Sequence, residues 1–593
     1  MAALAVAILV MLGPFELGPT VAGEVARRIG RPVTVGGLRV EVGTVVRVEL
    51  QDLVVANLPD ASADPFLKIA RLDAEIAPWS LLEWAVLDNG PTIHRLSIEG
   101  AALLLEHGTG GRPNWRFGEG EPAARAGWRP RIPVLLDARL HDLTIDLRTS
   151  SGNTLDIRLD DTTVATGGAD QPITLAAIGA YNGAPVQLSA SLDSFEQLHK
   201  TAAPFGTDAH LVSGETVMSF VGAATKPLEA DGVTGRVGLK TPTLDRLLAV
   251  SGIGGQATIP VTLAASLSRT GGLWHLTEGK GTVSGQPFQL DVQLREGVRH
   301  APDDFVLDAV FTVLDLTGVA GQENIGKASL RIDDAPGNLL DAHVTAKEVV
   351  DGELRAENLE FKAKLAPGTL SVAPLTMRFA GGGVRIDAAS NNAESGSAVR
   401  VDASLSGADP AQLLRVVGLG PLPIAGPVDI SANLRATGDT PRQALRSGSG
   451  GLVLSMQSGT VARNLVEQAS TDMRLLFRKT DGVGQIACML GLIDFDNGLG
   501  RLAPLRLRTS DGTIVGSGTI DLRRDTVDLI VGTESASTSV FALDVPVHIS
   551  GPLMSPQLLP AVGRSATAGT TLGGLPPALQ DFARRNPCIS IAR

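Results

Sequence analysis

A period of two constrains this chain more than any other feature. Val46-Arg47-Val48-Glu49-Leu50 sets apolar against polar residues one by one, and so do Leu140 to Arg148, Val428 to Leu434 and Leu505 to Arg508. Successive side chains of an extended strand point to opposite faces, so such runs fold as antiparallel strands with one apolar and one wet face. Asp-Gly pairs at 231–232, 351–352, 481–482 and 511–512 supply turn chemistry, and the last lies between two alternating runs and reads as a hairpin. The 68 glycines fit a chain with many turns and bends between strands. At 593 residues the chain exceeds what one hydrophobic core can organise, which implies several domains or one elongated, repeating architecture.

Short helical patches interrupt the strands: Pro19 to Ile29, ending at Gly30-Arg31-Pro32, then Leu81 to Val86, Leu244 to Val250, Ala411 to Val417, and a longer one near Val461 to Arg478. Two blocks also recur in the same order. Leu247 to Gly254 matches Leu413 to Gly420, and Pro260 to Leu267 matches Pro427 to Leu434. A repeated unit with an apolar sheet face needs neighbours to cover that face. The predicted fold is therefore mostly β with short helices: an elongated, curved, repeating antiparallel sheet.

Composition removes several function classes. The 44% apolar and 19% charged residues are those of a folded protein. A net charge of −12 carries no basic stripe for a phosphate backbone, so nucleic acid is not expected as a partner. Aromatic residues amount to only 4%. Outer-membrane barrels need aromatic girdles, and stacking platforms for sugars or single strands need exposed rings, so neither class fits.

Motifs for chemistry fail on inspection. Gly321 to Ala328 nearly forms a phosphate-binding loop, but Ala328 stands where Ser or Thr should hold magnesium, and Ser329 to Asp333 reads as a strand rather than a helix. Asp494-Phe495-Asp496-Asn497-Gly498 resembles the start of a calcium loop, yet Leu499 and Leu505 occupy its glycine and glutamate places, and a turn is expected there. Gly448-Ser449-Gly450 and Gly516-Ser517-Gly518 lack the flanks of a nucleophile elbow. The nine histidines lie singly, and His275 and His548 read as surface or core residues. No catalytic, cofactor-binding or metal-ligating residue is assigned, and an enzyme is not expected.

The two cysteines, Cys488 and Cys588, show no metal spacing. They read as idle thiols in an intracellular protein or, in an oxidising compartment, as a disulfide. A bridge would tie the tail around Pro587-Cys588-Ile589 onto the last folded module, and closure across about 100 residues stabilises by up to ~4–5 kcal/mol in the chain-entropy model.

The chain opens MAALAVAILVMLGPF, with its first acidic residue at Glu16 and its first basic one at Arg27. About 12 apolar residues precede Gly13-Pro14, where a membrane span needs about 20. This reads as the second half of a transmembrane anchor whose basic start lies upstream of Met1, or as a short buried helix.

The order of these features resembles the AsmA family of bacterial envelope proteins. The apolar start leads into Gly30-Arg31-Pro32-Val33-Thr34-Val35-Gly36-Gly37, similar to the family's opening strand. Leu53 to Pro59, the helix start Pro78-Trp79-Ser80-Leu81-Leu82, Ile98-Glu99-Gly100-Ala101 and Asn114-Trp115-Arg116-Phe117 follow in the family's order. The last module is similar as well, from Leu452 to Thr460, through Cys488 and Asp494 to Gly498, to Gly516 to Leu522 and Val545 to Pro552. The resemblance covers essentially the whole chain, by texture rather than motif in the middle. It departs at the anchor, which is short and lacks a basic flank, and it favours the anchor over the buried helix.

The resemblance divides the chain into an anchor at 1–18, an AsmA-like N-terminal β module at 19–120, a β module at 121–230, repeated modules with short helices at 231–440, an AsmA-like C-terminal module at 441–560 and a tail at 561–593. It implies a single pass of the bacterial inner membrane with the bulk in the periplasm, in outer-membrane or envelope biogenesis. Phospholipid or another envelope lipid would be bound or transferred along an apolar trough. The alternative is a scaffold that contacts outer-membrane assembly proteins through exposed strand edges. A covered structural core is the competing account of the apolar faces. Asn114 and Trp115 are read as structural.

Overall fold

The computed structural model describes residues 15–16, 18–81, 90–106, 108, 113–115, 133–148, 154–200, 203–244, 258–298, 301–317, 326–335, 337–394, 396–416, 424–462, 482–510, 512–533, 546–553, 555–561 and 576–590. The chain is mostly strand with a few short helices, as the alternation predicts, and it divides into two compact units, Met1–Asp308 and Ala309–Arg593.

In the first unit the helix Gly18–Ile29 leads into strands Gly37–Val42, Val46–Val55, Leu67–Ile76 and Thr92–Leu105, each antiparallel to the one before. The chain then crosses over. Asp137–Arg148 runs parallel to Thr92–Leu105, with Leu96 opposite Ala138. Parallel strands cannot be joined by a tight turn, so a long connection belongs here. From Thr154–Thr166 onward the strands again pair antiparallel in chain order, through Ile173–Tyr181, Ala184–Leu192, Phe205–Ser213, Thr216–Lys226, Asp231–Thr241, Val261–Thr270 and Leu273–Val283 to Gln286–Arg295. The helix Phe195–His199, capped by the Ser194 hydroxyl on the Gln197 amide at 3.2 Å, buries Phe195 and Leu198 against Val134, Ile173 and Phe205.

The second unit repeats the plan from Asn338–Asp351 through Leu354–Ala366, Thr369–Phe379, Gly382–Ala393, Gly396–Ala408, Val428–Thr437 and Ser449–Met456. It continues with Val483–Asp496, Leu499–Thr509, Thr513–Asp521, Thr526–Thr533, Val547–Pro552 and Gln557–Pro560. The matched strands of the internal repeat, Val261–Thr270 and Val428–Thr437, fall one in each unit.

Turn chemistry follows the sequence at two of the Asp-Gly pairs, whereas Asp231-Gly232 opens the strand Asp231–Thr241 and the turn before it falls on Pro227 to Ala230; residue 481 lies outside the described residues. Asp351 stands opposite Leu354 across a hairpin in which Gly352 has φ 58°, and Arg508 stands opposite Thr513 across the 511–512 turn, whose residue 511 lies outside the described residues. Asn497 and Gly498, both at positive φ, form the two-residue turn between Asp496 and Leu499, so the acidic run closes a hairpin. Another expectation fails. Ser329 to Asp333 is not a strand. It is an irregular segment held through its backbone by side chains and a loop: Ser390 Oγ donates to Leu330 O at 2.8 Å, Asn392 donates to Ile332 O, and Leu330 N donates to Asp439 O at 2.9 Å. These contacts satisfy its backbone without a ladder, which the local alternation could not reveal.

The helices at Gly18–Ile29 and Pro410–Val416 stand where helical spacing placed them. The patches at 82–86, 245–250 and 463–478 lie outside the described residues, as does most of the expected anchor at 1–18. Among the described residues no helix is long and apolar enough to cross a membrane.

Candidate functional site

A strand with alternating side chains has one face to hide. Register decides whether the apolar positions of neighbouring strands line up, and in both units they do. In the second unit one row runs Val344, Phe361, Leu375, Ile386, Ala403, Ala432, Leu452 and Ile493, each directly opposite the next. Every member is only half-buried. On the other face, charges two residues apart pair along the same strand: Arg385 with Asp387 at 2.9 Å and Arg400 with Asp402 at 2.8 Å. The first unit does the same with Arg71 and Asp73 at 2.8 Å and Arg158 and Asp156 at 2.9 Å. Exposed pairs of this kind add little stability. They do fix which face is wet, and the residues between them, Leu72, Ile157, Ile386 and Val401, face the other way. Arg-x-Asp and Asp-x-Arg flanking an apolar residue is thus the signal by which the apolar face could have been read strand by strand.

In the first unit the apolar face forms an open cavity of about 380 Å³. Its floor is built from the row Leu188, Leu211, Met218, Leu239 and Leu263, with a second row Ala209, Phe220 and Val237 beside it. Leu267 and Leu276, opposite each other, close one side. Ser219 supplies the single hydroxyl among the lining residues, and no charged side chain takes part. Such a surface can take hydrocarbon at roughly 25 cal/mol per Å² removed from water. It offers nothing to an ionic head group. An apolar patch left open on this scale marks a binding surface more often than a solvent-facing one.

The strands Ser449–Met456 and Val483–Asp496 of the second unit are different, because both of their faces carry buried side chains. On the face carrying the apolar row, Met456, Val461, Ile486, Leu507 and Ile514 form a buried cluster. On the opposite face Val453, Cys488, Leu490 and Leu492 lie beneath Leu579 and Ala583 of the helix Pro577–Arg584. Cys488 and Cys588 are joined by a disulfide with Cα atoms 5.6 Å apart, and both sulfurs lie in that cluster. Asn586 completes the closure: its side-chain amide donates to Ser455 Oγ at 2.7 Å and Met489 O at 2.8 Å, and its carbonyl accepts from Cys588 N at 2.8 Å. The covered core expected as an alternative is therefore real at this end. The closing helix covers the back of the sheet, which elsewhere is wet.

Near the start a buried polar cluster does structural work. Glu106 Oε1 accepts from Asn57 Nδ2 at 2.6 Å and from the Ser62 amide and hydroxyl at 2.9 and 2.6 Å, while Oε2 lies 3.1 Å from Arg148. Burial works against the charge, but the Ser62 bonds, Asn57 and Arg148 outweigh it and hold the carboxyl below its ordinary range. Asn114, fully buried, exchanges backbone and side-chain bonds with Glu106 and donates to Leu104 O at 2.8 Å. This matches its reading as a fold device. His275 and His548 each meet one carboxylate across a strand pair, Asp291 at 3.1 Å and Asp528 at 2.8 Å. Among the described residues no group of His, Cys, Asp and Glu could hold a metal ion.

No protein-family model matches the chain, and no solved structure does. Among curated proteins it is similar to the AsmA family protein YhjG of Escherichia coli (strain K12), with 22% identity over 663 aligned positions that cover 98% of this chain and 95% of that protein.

Proposed function

The chain belongs to the AsmA family, and from that premise we propose that it works in the bacterial envelope by binding the hydrocarbon part of phospholipid or another envelope lipid on its apolar face. The observation that carries this reading is the open cavity of about 380 Å³, lined mainly by half-buried apolar side chains with no charged group among them. The rows of register-matched apolar residues would let an acyl chain pass from strand to strand, which is what transfer along a trough requires. We place the body in the periplasm, anchored at the inner membrane through the apolar residues near Met1. The buried disulfide supports an oxidising compartment. No bond-making step is assigned to the protein.

The test is lipid extraction and mass spectrometry on the full chain, purified from envelopes in mild detergent. Phospholipid in about one-to-one ratio or more is expected with the wild type. Leu239→Glu, facing the cavity, should lose it, and Lys240→Glu, on the opposite face, should keep it. A lipid-free wild type, or equal loss from both variants, would overturn the reading.

One observation favours a second reading, contact with outer-membrane assembly proteins. The strand Gln557–Pro560 pairs with Val547–Pro552 alone among the described residues, and it exposes Leu558 at 70% and Leu559 at 50%. Such an edge can accept a partner's strand. Site-specific crosslinking from position 558 in cells would capture a defined envelope protein on this reading and only solvent-quenched adducts otherwise.

A further inference from the structure

Three phenylalanine rings in the described sheets lie against glycine. Phe288 stands opposite Gly281, where an added Cβ would come within 2.9 Å of its ring, and Phe495 stands opposite Gly500, where the distance would be 2.6 Å. Both rings are buried. The third differs. A Cβ on Gly222 would stand 2.6 Å from Phe220 Cζ, and one on Gly235 would stand 2.7 Å from Cε2 of the same ring. Gly222 and Gly235 face each other across a strand pair, and Phe220 precedes Gly222 by two residues, on the same face. The ring is thus laid over a glycine pair. Phe220 is half-buried and lines the cavity, so the side of the ring turned away from the glycines is part of the cavity floor.

We propose that Phe220, held flat on Gly222 and Gly235, is the specificity-determining residue of the cavity and selects straight, saturated hydrocarbon over bent chains; this rests on the reading of the cavity as a lipid site. Where two inward side chains would stand, the floor is a rigid plane. A straight chain meets such a plane along its length, and each methylene in contact adds a small dispersion gain. A chain bent by a cis double bond needs a recess and lifts away on one side of the bend. Removing the ring opens that recess down to the glycine backbone, because neither Gly222 nor Gly235 has a side chain to fill it. The glycines themselves cannot be enlarged to the same end, since a Cβ on either would also meet the backbone of the facing strand at 2.4 to 2.7 Å.

The test uses the full chain incubated with vesicles of equimolar dipalmitoyl and dioleoyl phosphatidylglycerol, re-isolated and analysed by mass spectrometry. The wild type should be enriched in palmitoyl chains, and Phe220→Ala should shift the bound ratio toward oleoyl by at least about three-fold, at similar total lipid. Phe220→Leu, which keeps apolar bulk without the plane, should shift it in the same direction by less and decides the matter if Phe220→Ala fails to fold by thermal melting. An unchanged ratio at unchanged total lipid would overturn this role for Phe220 and leave the lipid site standing. A wild type that takes up no lipid would overturn the site itself.

Discussion

The Asn586 amide donates to the Ser455 hydroxyl at 2.7 Å, with both side chains buried, and so joins the chain's tail to a strand 131 residues earlier. One side chain meets four partners there: the Ser455 hydroxyl, the Met456 and Met489 carbonyls and the Cys588 amide. Asn586→Ala should leave the Met489 carbonyl and the Ser455 hydroxyl buried without their donor. The expected cost is about 2–4 kcal/mol from the desolvation of unpaired groups, read as a lower midpoint of urea unfolding for the C-terminal module. A cost under about 0.5 kcal/mol, as at an ordinary surface site, would show that the helix is not held by this residue.

The disulfide closes a loop with a sequence separation of 100 between Cys488 and Cys588, which are only 1% and 3% exposed. Cys488→Ser paired with Cys588→Ser should destabilise the same module by up to about 4–5 kcal/mol on the chain-entropy account. Because both sulfurs are covered, native protein should resist a mild reductant, and thiol labelling after reduction should begin only as denaturant unfolds the module. Rapid labelling of the native protein would contradict the packing of Leu579 and Ala583 over the bridge.

Glu106 gives the N-terminal module an acid-sensitive clamp. Its folded pKa lies below the ordinary value, so the unfolded state binds the proton first and the stabilisation is fully present above about pH 4.3, the unfolded value. It should fade as pH falls through the folded pKa. Arg148 is 38% exposed, so solvent weakens its share, and the Ser62 and Asn57 bonds carry more of the effect. Glu106→Gln should lower stability by about 1–3 kcal/mol at pH 7 and flatten the loss between pH 5 and 3, by denaturant titration at each pH. An equally steep acid loss in Glu106→Gln would place the sensitivity elsewhere.

Ile386 and Val453 separate an open apolar face from a covered one. Ile386 is half-buried in the apolar row, and Val453 is fully buried beneath the closing helix. Val453→Asp should cost more than about 3 kcal/mol, because the charge has no partner and no water. Ile386→Asp should cost about 1 kcal/mol or less, since its carboxylate stays hydrated. Equal, large losses by thermal melting would mean that a further layer covers Ile386.

Much of the architecture was legible in the chain before folding. Alternation at Val46 to Leu50 and Val428 to Leu434 determined strands with one apolar face, because side-chain direction in an extended chain depends only on parity. Local turn chemistry at Asp351-Gly352 and Asn497-Gly498 determined hairpins for an equally local reason. Tertiary structure alone decided the rest, since it depends on what stands opposite what. Register placed Phe220 over a glycine pair drawn from two strands, and no sequence interval announces that Gly222 faces Gly235. Packing decided which apolar faces are covered: Val453 and Ile386 occupy the same kind of alternating run, but only Val453 lies where the tail returns. The tail's return is fixed by Cys588 and Asn586, whose partners are 100 and 131 residues away, beyond anything that periodicity along the chain can encode.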